Sequence, residues 1–130
     1  MRYMFLLYGD ESRWAEVTPE ELQEVMQAYE AFSREVTDAG AFVSGEPLEA
    51  SSAATTVRVR DGEPVISDGP FAETREQLGG FYVLECRDLD EAVRWATKIP
   101  AVTEGSIEIR PVPDYSATGG EQPESERANA

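Results

Sequence analysis

Apolar residues fall into six short stretches and two longer periodic ones, and each pattern predicts an element. Residues 2 to 8, RYMFLLY, are apolar and aromatic and end at Gly9-Asp10-Glu11-Ser12, a loop composition, which predicts a first strand. Thr18-Pro19-Glu20-Glu21 predicts a helix start: Thr18 can cap, Pro19 suits the first helical position, and Glu21 completes a capping box. Leu22, Val25, Met26, Tyr29, Phe32 and Val36 then recur at spacings of three and four, one apolar stripe, and Gly40 ends the helix as a left-handed cap. Residues 41 to 48 read as a second strand interrupted at Gly45-Glu46-Pro47. Thr55 to Arg60 alternates and is β-branched, Asp61-Gly62 supplies a turn, and Pro64 to Ser67 returns, so a hairpin is expected with Pro64 near an edge. Gly79 to Cys86 predicts another strand. Asp88-Leu89-Asp90-Glu91 opens a second helix with Ala92, Val93, Trp95, Ala96 and Ile99 on one stripe, closed by Pro100, and Ser106 to Val112 alternates as a last strand.

The order β-α-β-hairpin-β-α-β is that of an α+β, ferredoxin-like split βαβ domain with an inserted hairpin. Two helices cover only one face of such a sheet. Both alternating sets in Phe81 to Cys86 are largely apolar, so the second face is expected to meet a partner, most simply a second copy in a sheet-to-sheet homodimer. This domain is assigned to residues 1–113. The remainder, 114–130, DYSATGGEQPESERANA, holds one aromatic residue and is expected to be a disordered acidic tail.

Composition narrows the function classes. The chain has 130 residues, one domain's length, and a formal charge of −15 from 26 acids and 11 bases. The bases are scattered, so direct nucleic-acid binding is not expected, nor is attraction to anionic membranes. No stretch is long and apolar enough to span a bilayer, and the aromatic N-terminus reads as a strand rather than a leader. With no histidine at all, Ser-His-Asp and Cys-His chemistry are excluded, and no metal or cofactor is expected. The single cysteine, Cys86, rules out an internal disulfide, fits a reducing cytoplasm and reads as a buried structural residue.

Candidate chemistry concentrates in SDGPFAETREQLGGFYVLE, residues 67 to 85. Asp68-Gly69-Pro70 is a turn signal, and Phe71 is read as an apolar plug beneath it. Glu73 to Gln77 is too polar to bury, and a single helical turn suits it. Gly79-Gly80 permits close approach by a neighbouring strand or a ligand. Asp68, Glu73 and Glu76 are the candidate proton carriers, since crowded carboxylates raise one another's pKa and can replace histidine in acid–base work. Tyr8, Phe71, Gly79, Gly80 and Arg110 are the candidate ligand contacts, with Arg110 suited to a carboxylate or phosphate. Arg110 and Glu108 share a face of the last strand and can instead pair with each other. The same segment also has a purely structural reading, as a loop that sets strand register.

The stretch DGPFAETREQLGGFYVLE, with MRYMFLLYGDE before it and LDEAVRWATKIP and GSIEIRPV after it, resembles the YCII-related family in its DGPF-motif branch, from Met1 to about Val112. The resemblance implies a ferredoxin-like fold that dimerises as an α+β barrel, in a bacterial cytoplasmic protein. It also implies a functional link to an extracytoplasmic-function sigma factor. Some relatives are proposed enzymes with a His-Asp pair, which this histidine-free chain cannot carry. Two functions follow as expectations: a dimeric small-molecule-binding or regulatory accessory protein, and a cofactor-free lyase or isomerase acting on a small anionic or aromatic substrate.

Overall fold

Strand β1 (Arg2–Gly9) places Tyr3, Phe5 and Leu7 on one side, all buried, and Met4, Leu6 and Tyr8 on the other, half-buried. This alternation organises the computed structural model, which describes residues 1–118. Helix α1 (Pro19–Asp38) follows, then β2 (Phe42–Pro47), β3 (Thr55–Arg60), β4 (Glu63–Asp68), β5 (Gln77–Glu85), α2 (Leu89–Ala96) and β6 (Ser106–Val112). Four strands form an antiparallel sheet in the order β2-β5-β1-β6, the ferredoxin-like arrangement once the hairpin is set aside. Strands β3 and β4 form a separate two-stranded sheet, called the arm below.

The local signals act as their chemistry predicts. Glu21 N–H donates to the Thr18 hydroxyl at 3.1 Å, and that hydroxyl reaches the Glu21 carboxylate at 3.2 Å, so the box closes through side chains. Gly40 at φ +72 ends α1, with Ala41 N–H donating to the Val36 carbonyl at 3.0 Å. Asp88 caps α2 by accepting from Glu91 N–H at 2.9 Å. Asp61 and Gly62, both with positive φ, make the tight turn of the arm.

Tyr3, Phe5, Leu7, Leu84 and Cys86 from the sheet meet Phe32, Val36, Ala92, Ala96 and Ile99 from the helical layer. Phe32 stands edge-on to Tyr82 at 5.2 Å and to Trp95 at 6.2 Å. The expected α1 stripe is covered only in part: Phe32 and Val36 are buried, whereas Leu22 and Met26 are exposed. Helix α2 stops at Ala96, and Ile99 is buried from the connection that follows. Pro100 then opens a short 3₁₀ turn, Pro100–Thr103.

Among the described residues no helix is long and apolar enough to cross a membrane. At the start of the expected tail, Tyr115–Thr118 form a 3₁₀ turn, with Asp114 accepting from Ser116 N–H at 3.0 Å. The rest of the expected tail lies outside the described residues.

Candidate functional site

On the face of the main sheet opposite the helices, the described side chains are half-buried or exposed and none is fully buried. Strand register lays its side chains out in rows: Ser44, Val83, Met4 and Arg110 in one, and Glu46, Phe81, Leu6 and Glu108 in the next. Leu78, Tyr8 and Ser106 form a third row near the end of β1. The centre is apolar and the two outer strands are polar. On the β6 side the Arg110 guanidinium donates to the Glu108 carboxylate at 2.5 Å, an exposed pair that costs at most about 1 kcal/mol to separate. At the third row Ser106 Oγ donates to Glu76 Oε1 at 2.8 Å. An apolar floor with an arginine and a hydroxyl–carboxylate pair at its margins can seat an apolar or aromatic molecule bearing one polar or anionic group.

The motif loop is tied down and contains no helical turn. Gln77 accepts from Glu11 N–H at 3.0 Å and donates to the Thr74 carbonyl at 2.6 Å, while the Thr74 hydroxyl donates to the Glu76 carbonyl at 2.5 Å. The Glu11 carboxylate in turn accepts from the Ser51 N–H and hydroxyl at 2.6 and 2.7 Å. Three distant parts of the chain are thus held together where β1 ends and β5 begins. Gln77, Glu11 and Ser51 were not singled out from the sequence, because the contact spans 66 residues between Glu11 and Gln77 and leaves no local signal.

The site residues expected from sequence divide into two groups. Tyr8, Glu76 and Arg110 belong to the open face or its margin. Gly79 is the extra residue where pairing slips between Leu7–Gly80 and Tyr8–Leu78, a β-bulge beside Tyr8. Gly80 faces β2: a Cβ there would sit 3.0 Å from the Glu46 carbonyl, so its neighbour is a strand rather than a ligand. Asp68, Phe71 and Glu73 lie elsewhere. Asp68 ends β4 opposite Thr55, Gly69 after it takes φ +95 as the turn requires, and among the described residues the Asp68 carboxylate accepts no hydrogen bond. Phe71 is 78% exposed and plugs nothing. Glu73 is exposed, Asp68 lies at the end of the arm, and Glu76 is the one of the three that meets the last strand, through Ser106. Of the three, Glu76 alone is half-buried.

Two surface grooves lie away from the motif loop. One, of about 490 Å³, lies between α1 and the Pro100–Thr103 turn, with the Lys98–Glu35 ion pair among its lining residues. The other, of about 380 Å³, lies at the far end of the sheet beside Met1, Cys86, Glu91 and Trp95. Burial, with Glu91 nearby, pushes the Cys86 thiol up to about 11, which leaves it protonated and a poor nucleophile near neutrality. Asp10 is held below the usual carboxylate range by the Ser12 hydroxyl and N–H, which it accepts as cap of the 3₁₀ turn Glu11–Glu16. Among the described residues no three acids or thiols converge as a metal site would need.

Comparison with known proteins agrees with this layout in extent. The sequence profile of the YCII-related domain matches residues 1–116. An uncharacterised protein of Rhizobium meliloti (strain 1021) is 40% identical over 117 residues, covering 88% of this chain and 94% of that protein.

Proposed function

The chain belongs to the YCII-related domain family, and on that premise we propose that it is a homodimer that binds a small apolar or aromatic anion between two open sheet faces. One observation carries the reading: the uncovered face is apolar at its centre and presents Arg110–Glu108 and Glu76–Ser106 at its margins. A single chain leaves the side chains of this surface half-buried or exposed. A second sheet laid against it makes a closed chamber from the same residues. Arg110 exchanges Glu108 for the ligand's anionic group at small cost, because the existing pair is exposed.

A second reading, a cofactor-free proton-transfer enzyme, is favoured by Glu76. It is half-buried, sits at the margin of the apolar face, and has a hydroxyl donor that can steady its charged form. An accessory role beside an extracytoplasmic-function sigma factor rests on the family resemblance, and recovery of that factor in a pull-down from the native cell tests it.

A thermal-shift series with aromatic and aliphatic carboxylates tests the binding reading. A ligand at a hundred times its dissociation constant stabilises by about 2.7 kcal/mol. The expected result is stabilisation by aromatic members that Arg110→Leu abolishes. Equal shifts in wild type and Arg110→Leu, or no shift from any member, contradict it.

A further inference from the structure

We infer that the open face reads its ligand at two ends, and that the ligand is an elongated anion carrying a hydroxyl at the end remote from the charge. On β6, Ser106, Glu108 and Arg110 alternate onto this face, opposite Tyr8, Leu6 and Met4 of β1. Four residues along a strand span about 13 Å, so Ser106 and Arg110 mark two ends of the face at that separation. Between them lies an apolar floor of Met4, Leu6, Phe81 and Val83, all half-buried. The Arg110 end is cationic. The Ser106 end has a different chemistry.

Three oxygens from three parts of the chain gather there. Ser106 Oγ donates to Glu76 Oε1 at 2.8 Å, which joins the last strand to the residue before β5, and Tyr8 of β1 stands directly across from Ser106. The backbone of Glu76 is held as well: its carbonyl accepts from the Thr74 hydroxyl at 2.5 Å, and the Thr74 carbonyl accepts from the Gln77 amide at 2.6 Å. A carboxylate only accepts, and the one proton of Ser106 is spent on it, so this pair offers acceptors. The Tyr8 phenol can give a proton or take one. A ligand hydroxyl suits the set, because it donates to the Glu76 carboxylate and accepts from Tyr8 together. An ammonium has donors only and leaves the Tyr8 proton unmatched. A second anionic group is repelled by Glu76, which fixes the polarity of the ligand: charge at Arg110, hydroxyl at Glu76. Glu76 and Tyr8 are both half-buried, where a hydrogen bond is stronger than in open water.

The proposal rests on the binding reading above and draws all its contacts from one chain. Calorimetric titration at neutral pH compares para-hydroxybenzoate, para-hydroxycinnamate and the longer hydroxybiphenyl carboxylate, each against the parent acid without the hydroxyl. In wild type the hydroxyl is expected to tighten binding most for the longest acid, by about tenfold or more, the effect of a hydrogen bond to a charged group. Glu76→Leu is expected to cut that gain to within about twofold, and Tyr8→Phe to cut it in part, while the parent acids bind as before. Arg110→Leu should weaken parent and hydroxy acids alike. A tie that only fastens the loop would lower the urea midpoint of Glu76→Leu without erasing the discrimination. Parent acids that bind through Arg110 with no gain from the hydroxyl, or a gain unchanged in Glu76→Leu and Tyr8→Phe, overturn the hydroxyl end and leave the binding reading standing. Failure of every acid to bind the wild type overturns both.

Discussion

The main sheet and the arm are written in the same alphabet of alternating β-branched and aromatic residues, yet they bury different amounts. Phe5 and Leu84, in the main sheet, are fully enclosed by the helices, while Val57, Val59 and Ile66, in the arm, remain mostly in water. The open face of the main sheet lies between these extremes, its Met4, Leu6 and Phe81 half-buried by their neighbours alone. Alternation therefore specifies a strand and the side on which its apolar residues lie. What covers that side is a separate property, set by elements far away in the chain or in another chain.

The sharpest way to break the comparison is to remove one large side chain from each region. Phe5→Ala leaves a cavity in the closed core and is expected to cost about 3–5 kcal/mol, read as a fall in urea midpoint. Ile66→Ala should change the unfolding of an isolated chain by less than about 0.5 kcal/mol. Similar losses at the two positions would mean that the arm is part of the monomer's core. A smaller effect follows at Gly105, where a Cβ would stand 2.0 Å from the Tyr8 carbonyl. Backbone must move there, so Gly105→Ala is expected to destabilise by about 1–3 kcal/mol. Gly79→Ala meets only open contact with the Leu7 carbonyl at 3.9 Å and should be far milder in the same denaturation experiment.

Two aspartates sharpen the contrast further. Asp88 caps α2 and Asp68 begins the family-like motif, but only Asp88 accepts a backbone N–H. Asp88→Ala should cost about 1 kcal/mol and Asp68→Ala less than half of that in thermal denaturation. A larger loss at Asp68 would restore the motif's aspartate as a structural anchor.

These cases show which features were legible in the sequence. The caps, Gly40 and the Asp61-Gly62 turn depend on residues within a few positions, so local chemistry announces them. Pairing of Arg110 with Glu108 was also legible, because both lie two apart on one strand. The direction of Phe71 was not, since a loop side chain goes where tertiary contacts exist and here there are none to bury it. Nor was the Glu11–Gln77–Thr74 tie, which converts the most reactive-looking segment into a fastener. Glu76 is the residue of that segment that meets the main sheet, because Ser106 arrives beside it from the last strand.

The closed core also imposes a pH dependence that the arm does not. Burial holds the Cys86 thiol protonated up to about 11 against an ordinary 9.0, so the folded chain keeps a proton that the unfolded chain loses between those values. Stability is therefore fully present below about pH 9 and falls as the pH rises toward about 11. Tyr29 and Tyr82, also raised by burial, act in the same direction at the upper end. Urea midpoints across this range should decline less steeply in Cys86→Ala than in wild type. An identical slope would remove the thiol from the account.

The central claim is that the open face of the main sheet is a surface built to be covered by a second copy. Sedimentation equilibrium of the unmodified chain at micromolar concentration tests it most directly. The account predicts a particle of twice the 14.4 kDa chain mass, reduced to a single chain by Leu6→Lys at the centre of that face. A mass of 14.4 kDa for the unmodified chain, or a dimer indifferent to Leu6→Lys, would contradict it.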